Sequence, residues 1–229
     1  MPQIIEKDAD KISQFGRIKL HFWNITESVE QLLELLPSSY LYRDEVAARF
    51  RSEARQKEWL AVRVLLHKVA KVSEPITYKE TGSPYFVHTP LSVSISHTSS
   101  FACLALGNVT FGVDIEQYGS KALALTDKFL KPQEKELSHK VSIVAERFAV
   151  LAWSAKEAVY KAANDVSLSL FQDITIEHVD ERNALLSVRV QHQSDDEAGA
   201  VWYVAYAFMP HFVLTLCLKD GEIHSGESF

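Results

Sequence analysis

The sequence predicts an α+β protein of two similar halves related by a pseudo-twofold axis, each with a small antiparallel sheet and a long helix. Three observations carry this. Short segments that alternate apolar and polar residues recur in both halves, one long stretch of helical apolar spacing lies in each, and each half ends near a cysteine-bearing apolar strand, FACLAL or FVLTLCL. At a loose ~150 residues per domain, 229 residues fit one large domain or two small halves sharing a core. With 47% apolar residues the chain can bury such a core. The halves are placed at 1–108 and 109–229, with the boundary near Asn108 to Ser120 because the strand there can join either side.

Arg17 to Trp23 alternates Ile18, Leu20 and Phe22 against Lys19, His21 and Trp23, the pattern of a half-buried strand. Thr26 is the expected N-cap of a short helix whose apolar residues Val29, Leu32, Leu33 and Leu36 keep helical spacing until Pro37. A longer helix is expected over Arg43 to Lys71, followed by a turn at Thr81-Gly82-Ser83-Pro84. Leu91, Val93 and Ile95 alternate with Ser92, Ser94 and Ser96 in a strand that ends in a tight turn after His97. Phe101 to Leu106 and Val109 to Glu116 read as a hairpin around Gly107-Asn108. The second half offers a helix over Ser142 to Asn164 and strands near Ile174 to His178, Leu185 to Val190, Val201 to Phe208 and Phe212 to Leu218. From Lys219 the tail is polar.

Thirty acidic side chains against 24 basic ones give a net charge of −6, which counts against a nucleic-acid partner, whose phosphates need neutralising. Between Arg49 and Lys71, however, seven basic residues face two acidic ones. A positive strip on an acidic protein points to a local anionic ligand, against the plainer reading of a solvated helix face. No apolar run approaches the ~20 residues of a bilayer span, and Met1 to Asp10 lacks a signal-type apolar stretch. These features predict a cytoplasmic chain without a membrane partner. Cys103 and Cys217 sit inside apolar runs, as small hydrophobes do, which argues against a disulfide framework or a zinc site.

Strand alternation makes Asp114 and Glu116 project from the same face of Val109 to Glu116. Two adjacent carboxylates repel unless a cation joins them, and Mg²⁺ favours such oxygen ligands together with substrate phosphates. A lone D-x-E is also what two solvated carboxylates on a strand edge look like. In the late helix, Trp153, Glu157 and Lys161 share one stripe at i, i+4 and i+8. Taken alone, Glu157 and Lys161 read as a surface ion pair and Trp153 as core. Ser96-His97 ends a strand where a histidine can donate to a phosphate oxygen; taken alone, it is a polar turn residue.

The ordered set SISHTSS, FGVDIE and LAWSAKEAVYKA, preceded by ARQKEWLAVR and TGSPYF, resembles the 4'-phosphopantetheinyl transferases, in particular the larger Sfp-type branch of the holo-acyl-carrier-protein synthase-like superfamily. The resemblance runs over about Arg43 to Leu170. It implies a monomer with pseudo-dimeric halves and the magnesium site at their interface. It also implies transfer of phosphopantetheine from coenzyme A to a serine of an apo acyl or peptidyl carrier protein, leaving adenosine 3',5'-bisphosphate. By motif, Asp114, Glu116 and Glu157 are the Mg²⁺ carboxylates, with Mn²⁺ as substitute metal. Lys161 holds the reacting phosphate, and Glu157 is the base of a catalytic set with Lys161 and Asp114. Coenzyme A contacts fall to Arg55, Ser96 and His97 at the 3'-phosphate, to Lys161 and Asp114, and to Arg43 upstream. Gly82-Ser83-Pro84 stands where the family has Gly-Lys-Pro, and Lys79 is the substitute cation. The competing readings are an inactive module that binds coenzyme A and a carrier protein, and a magnesium-dependent nuclease.

Overall fold

A computed structural model describes residues 18–192 and 199–218. The expectations for Arg17, for Met1 to Asp10 and for the tail from Lys219 concern residues outside these ranges. Helices and antiparallel sheets share the fold, as the sequence predicts. The chain runs β1 (Ile18–Asn24), α1 (Val29–Glu34), α2 (Ser39–Arg49), α3 (Glu53–Val64) and a π-turn (Leu65–Val69). It continues through β2 (Thr77–Tyr78), β3 (Pro84–Tyr85), β4 (Ser92–His97), β5 (Phe101–Gly107), β6 (Phe111–Gln117), α4 (Ser120–Ala124) and α5 (Pro132–Ser138). Helix α6 (Ala145–Ala163) and strands β7 (Ile174–Asp180), β8 (Leu185–Val190), β9 (Ala200–Phe208) and β10 (Phe212–Leu218) complete the described part. Among the described residues no helix is long and apolar enough to cross a membrane.

Two antiparallel sheets dominate, one in the order β1-β5-β4 and one in the order β6-β10-β9-β8-β7, with β2-β3 as a separate small hairpin. Their inner faces meet. Phe101, Cys103 and Ala105 from the first sheet pack against Val113, Ile115, Leu214 and Leu216 from the second. The outer face of the first sheet, including Val93 and Leu104, lies under Leu32, Leu60 and Leu65 of the helical layer. Helix α6 covers the outer face of the second sheet, where Ala155 and Val159 share a core with Val204 and Val213. Strand β5 is buried along its whole length, which is why FACLALG is apolar at every position.

Three elements differ from expectation. The helix expected over Arg43 to Lys71 is broken, because Phe50 is extended (φ −132°, ψ 126°) and Ser52 begins a second helix with Glu53 in its first turn. Gln56 holds this corner by donating to the Phe50 carbonyl at 2.8 Å. The short helix is capped by Ser28, not Thr26, through a reciprocal Ser28/Gln31 capping box. The Gly107-Asn108 hairpin does not form: β1 and β4 take both edges of β5, and β6 pairs with β10 in the other sheet.

The glycine of the G-x-D-x-E segment has a steric cause. A Cβ at Gly112 would lie 2.0 Å from the Ala158 carbonyl oxygen and 2.6 Å from the Ala162 nitrogen, so only glycine lets β6 approach α6 this closely. The alanines of α6 supply the other side of that contact. Helix and strand thereby bring WSAKEAVYK against GVDIE.

Candidate active site at the β6–α6 seam

Asp114 is 5% exposed and accepts three strong contacts. Lys161 Nζ and the Ser96 hydroxyl each donate to Oδ1 at 2.7 Å, and the Ser154 hydroxyl donates to Oδ2 at 2.7 Å. Thr215 of β10 backs this cluster, its Oγ1 lying 2.9 Å from Ser154 Oγ and donating to the Ser154 carbonyl at 3.0 Å. Lys161 also donates to the Val113 carbonyl at 3.1 Å. Lys161 therefore spans the seam to Asp114 and does not form the surface pair with Glu157 that spacing alone suggests.

Glu116 and Glu157 flank this cluster, both half-buried. Burial first, and then the negative charge of Asp114 and Glu157, push the Glu116 carboxyl above the usual carboxylate range. Burial likewise raises Glu157, with Lys161 opposing and Asp114 reinforcing the shift. Three mutually repelling carboxylates at one seam are the hard-oxygen donor set a divalent cation neutralises, so Asp114, Glu116 and Glu157 fit Mg²⁺ in chemistry. In position, however, no three or more His, Cys, Asp or Glu side chains among the described residues are grouped closely enough to hold a metal ion, these three included. Asp114 has its oxygens engaged, whereas among the described residues no side chain hydrogen-bonds Glu116 or Glu157.

Lys161 also lines a cavity of about 690 Å³. Arg55, Lys79 and His97 line it too, so four of the sequence-predicted residues meet there. Lys79 faces Ser83 across the Gly82 turn, its N–H donating to the Ser83 carbonyl at 3.0 Å. Gly82 takes φ +82° with open space around its Cβ position, as such a turn requires. The Ser83 and Thr81 hydroxyls reach the side chain of Asn164, which closes α6 in the left-handed conformation. Where the family has a lysine, this chain thus uses the position to dock the turn on the end of α6.

Five predicted residues are not among those lining the cavity: the carboxylates Asp114, Glu116 and Glu157, and also Arg43 and Ser96. Arg43 makes a two-pronged pair with Glu30 on the exposed side of α1, at 2.7 Å and 2.5 Å, and is not among the residues lining the cavity. Ser96 does not line it either: its hydroxyl donates to Asp114 and accepts the Ile115 N–H at 3.1 Å.

Sequence reasoning missed several polar groups. Glu58 is a buried carboxylate on the cavity wall, 2.9 Å from Arg55 Nη1 and 3.3 Å from His97 Nδ1. Arg63 lies over the Trp59 ring at 3.6 Å and donates to the Tyr78 hydroxyl at 3.2 Å. Burial lowers its pKa from the usual arginine range. Lys156 is fully buried, donating to Glu134 at 3.0 Å and to the carbonyls of Phe129 and Ile174 at 2.7 and 2.8 Å. The i,i+3 spacing of Arg55 and Glu58 was a visible signal. The burial of Lys156 was not, because a lysine between apolar neighbours also suits a helix surface.

The strand–helix unit that carries this site lies within a segment similar to a known family. Residues 110–217 match the model of the 4'-phosphopantetheinyl transferase superfamily, the family that the sequence motifs resemble. Among curated proteins, the chain is 28% identical over 129 residues to enterobactin synthase component D of Escherichia coli O157:H7 and of Shigella flexneri, and 27% identical to that of Escherichia coli strain K12. Each match covers 56% of this chain and spans 58% of the relative's length.

Proposed function

We propose that the protein transfers the 4'-phosphopantetheine group of coenzyme A to a serine of an apo acyl or peptidyl carrier protein, releasing adenosine 3',5'-bisphosphate. The observation that carries this reading is the Lys161–Asp114 contact, which joins the two motif segments, with Lys161 also lining a cavity shared by Arg55, Lys79 and His97. Adenosine 3',5'-bisphosphate chemistry suits such a cavity, since its walls offer cations to phosphate and aromatic surface to a base.

Asp114, Glu116 and Glu157 would hold Mg²⁺, which when bound supplies charge neutralisation to the pyrophosphate oxygens. Lys161 stabilises the negative charge that develops on the phosphate under attack. Glu157, whose burial favours proton uptake, accepts the proton of the incoming serine hydroxyl as that oxygen forms its bond to phosphorus. The P–O bond to the adenosine bisphosphate then breaks and the electron pair leaves with it. The serine comes from the partner, so the chain needs no nucleophile of its own.

We also read the halves 1–108 and 109–229 as pseudo-twofold mates in a 4'-phosphopantetheinyl transferase fold. The support is topological: in both sheets the opening strand of the half is an edge beside its last strand, with the penultimate strand beyond. The second sheet is longer because β7-β8 joins it while β2-β3 stays apart.

Incubation with coenzyme A, Mg²⁺ and an apo carrier protein, followed by intact mass, tests the reaction. The expected result is a carrier heavier by one phosphopantetheine group, lost when Asp114 is replaced by alanine. An unchanged carrier with bound coenzyme A would leave only a binding module.

A further inference from the structure

Glu58 is an anomaly in a cavity built for anions. The residue is 7% exposed, lines the cavity and carries the same sign as the proposed ligand. One of its oxygens, Oε2, lies both 2.9 Å from Arg55 Nη1 and 3.3 Å from His97 Nδ1. Arg55 stands three residues earlier on the same face of α3, whereas His97 arrives from the end of β4. The carboxylate therefore ties a helix cation to a strand histidine that are both candidates for one phosphate.

We propose that Glu58 is a positioning residue: its buried carboxylate fixes Arg55 and the His97 ring so that their remaining N–H groups face a nucleotide phosphate in the cavity. This rests on the nucleotide reading of the cavity given above. With Nδ1 turned to Glu58, the ring's other nitrogen, Nε2, is the one left for the ligand. Nε2 donates as well only when the ring is protonated. The groups facing His97 are Glu58 and Arg55 from α3, Lys161 from α6 and Asp114 from β6. Burial pulls its pKa down, and the Glu58 charge is the first of these groups to push it back up.

Simple repulsion and positioning predict opposite signs. Deleting a negative charge beside a phosphate tightens binding if charge alone matters, whereas deleting a positioning group weakens it. The experiment is calorimetric titration of the full chain and its Glu58→Gln variant with adenosine 3',5'-bisphosphate and, in parallel, adenosine 5'-monophosphate, from pH 6 to 8. Glu58→Gln is expected to lose roughly ten-fold in affinity for the bisphosphate, the scale of one charge-assisted hydrogen bond, and much less for the monophosphate. NMR titration of the His97 ring is expected to show a lower midpoint in the variant, and Glu58→Asp to recover part of both effects. Thermal melting checks that each variant is folded. If Glu58→Gln does not fold, His97→Asn takes its place, and the wild-type loss of bisphosphate affinity from pH 6 to 8 must vanish in it. Equal or tighter bisphosphate binding by Glu58→Gln, or an unmoved His97 midpoint, overturns the positioning role alone. A wild-type chain that binds neither nucleotide overturns the nucleotide reading, and the proposal with it.

Discussion

At the residue scale, Asp114 shows how a role readable from motif alone changes when its neighbours are known. Sequence pairs it with Glu116 as two repelling carboxylates, but the structure surrounds it with donors from Ser96, Ser154 and Lys161. Asp114→Ala is therefore expected to abolish transfer and also to destabilise the fold, since the buried donors it leaves cost about 1–3 kcal/mol each. Activity assays with urea unfolding check both, and an unchanged or raised midpoint would show that repulsion dominates. Arg55→Ala is expected to weaken coenzyme A by about ten- to hundred-fold, the scale of a lost charge-assisted contact. It should affect 3'-dephospho-coenzyme A far less, and equal losses in titration calorimetry would place the 3'-phosphate elsewhere. Glu58 was legible as an i,i+3 partner of Arg55, but not as a partner of His97, because that contact joins positions 39 residues apart.

Among the elements, the seam between β6 and α6 depends on two features of different legibility. The G-x-D-x-E spacing was visible, whereas the reason for its glycine required the helix to be in place: Ala158 and Ala162 occupy the space a Cβ would need. Gly112→Ala must push strand from helix, and overpacking of this kind costs on the order of 3 kcal/mol. Urea unfolding should show that loss together with reduced turnover, and a variant of native stability would mean the seam can relax. The other fixture is Lys156, which ties α6 to Glu134 of α5 and to the start of β7. Removing one partner of a buried pair costs about 3–5 kcal/mol, so Lys156→Met should destabilise strongly and the further change Glu134→Gln should recover part. Helix α5 itself went unread despite Pro132 at its first position and Glu134 two residues on, both start signals. Glu74 provides the pH-dependent fixture. It accepts the Val87, His88 and Thr89 N–H groups and the Thr89 hydroxyl, which together lower its pKa to about 2. A depressed carboxylate stabilises the fold above its unfolded pKa and loses that contribution as pH falls toward 2. The gap in urea midpoint between wild type and Glu74→Gln should accordingly be full at pH 6 and close near pH 2. A constant gap would rule out this linkage.

For the whole molecule, the sequence predicts helix and antiparallel sheet but not how the sheets are joined, because a strand's pattern marks its buried face and not its neighbour. Strand β6 has one edge on β10, and its other edge meets β4 of the first sheet. No backbone ladder crosses that junction. The Val113 N–H donates to the Ser94 hydroxyl at 3.0 Å and the Ile115 N–H to the Ser96 hydroxyl at 3.1 Å, so the alternating serines of SVSIS stand in for a neighbouring strand. In the sequence those serines stand only as the residues alternating with Leu91, Val93 and Ile95, yet Ser94 and Ser96 are 4% and 5% exposed. Ser94→Ala removes the acceptor without adding bulk, leaving the Val113 N–H buried and unpaired at a cost of about 1–3 kcal/mol. Ser96→Ala does the same at Ile115 and also frees one side of Asp114, so it should lower turnover where Ser94→Ala spares it. Hydrogen exchange is the direct readout. In Ser94→Ala the Val113 amide should exchange faster relative to Gly112 and Asp114, whereas unchanged protection at Val113 would mean that apolar packing holds the two sheets together without the serine contacts.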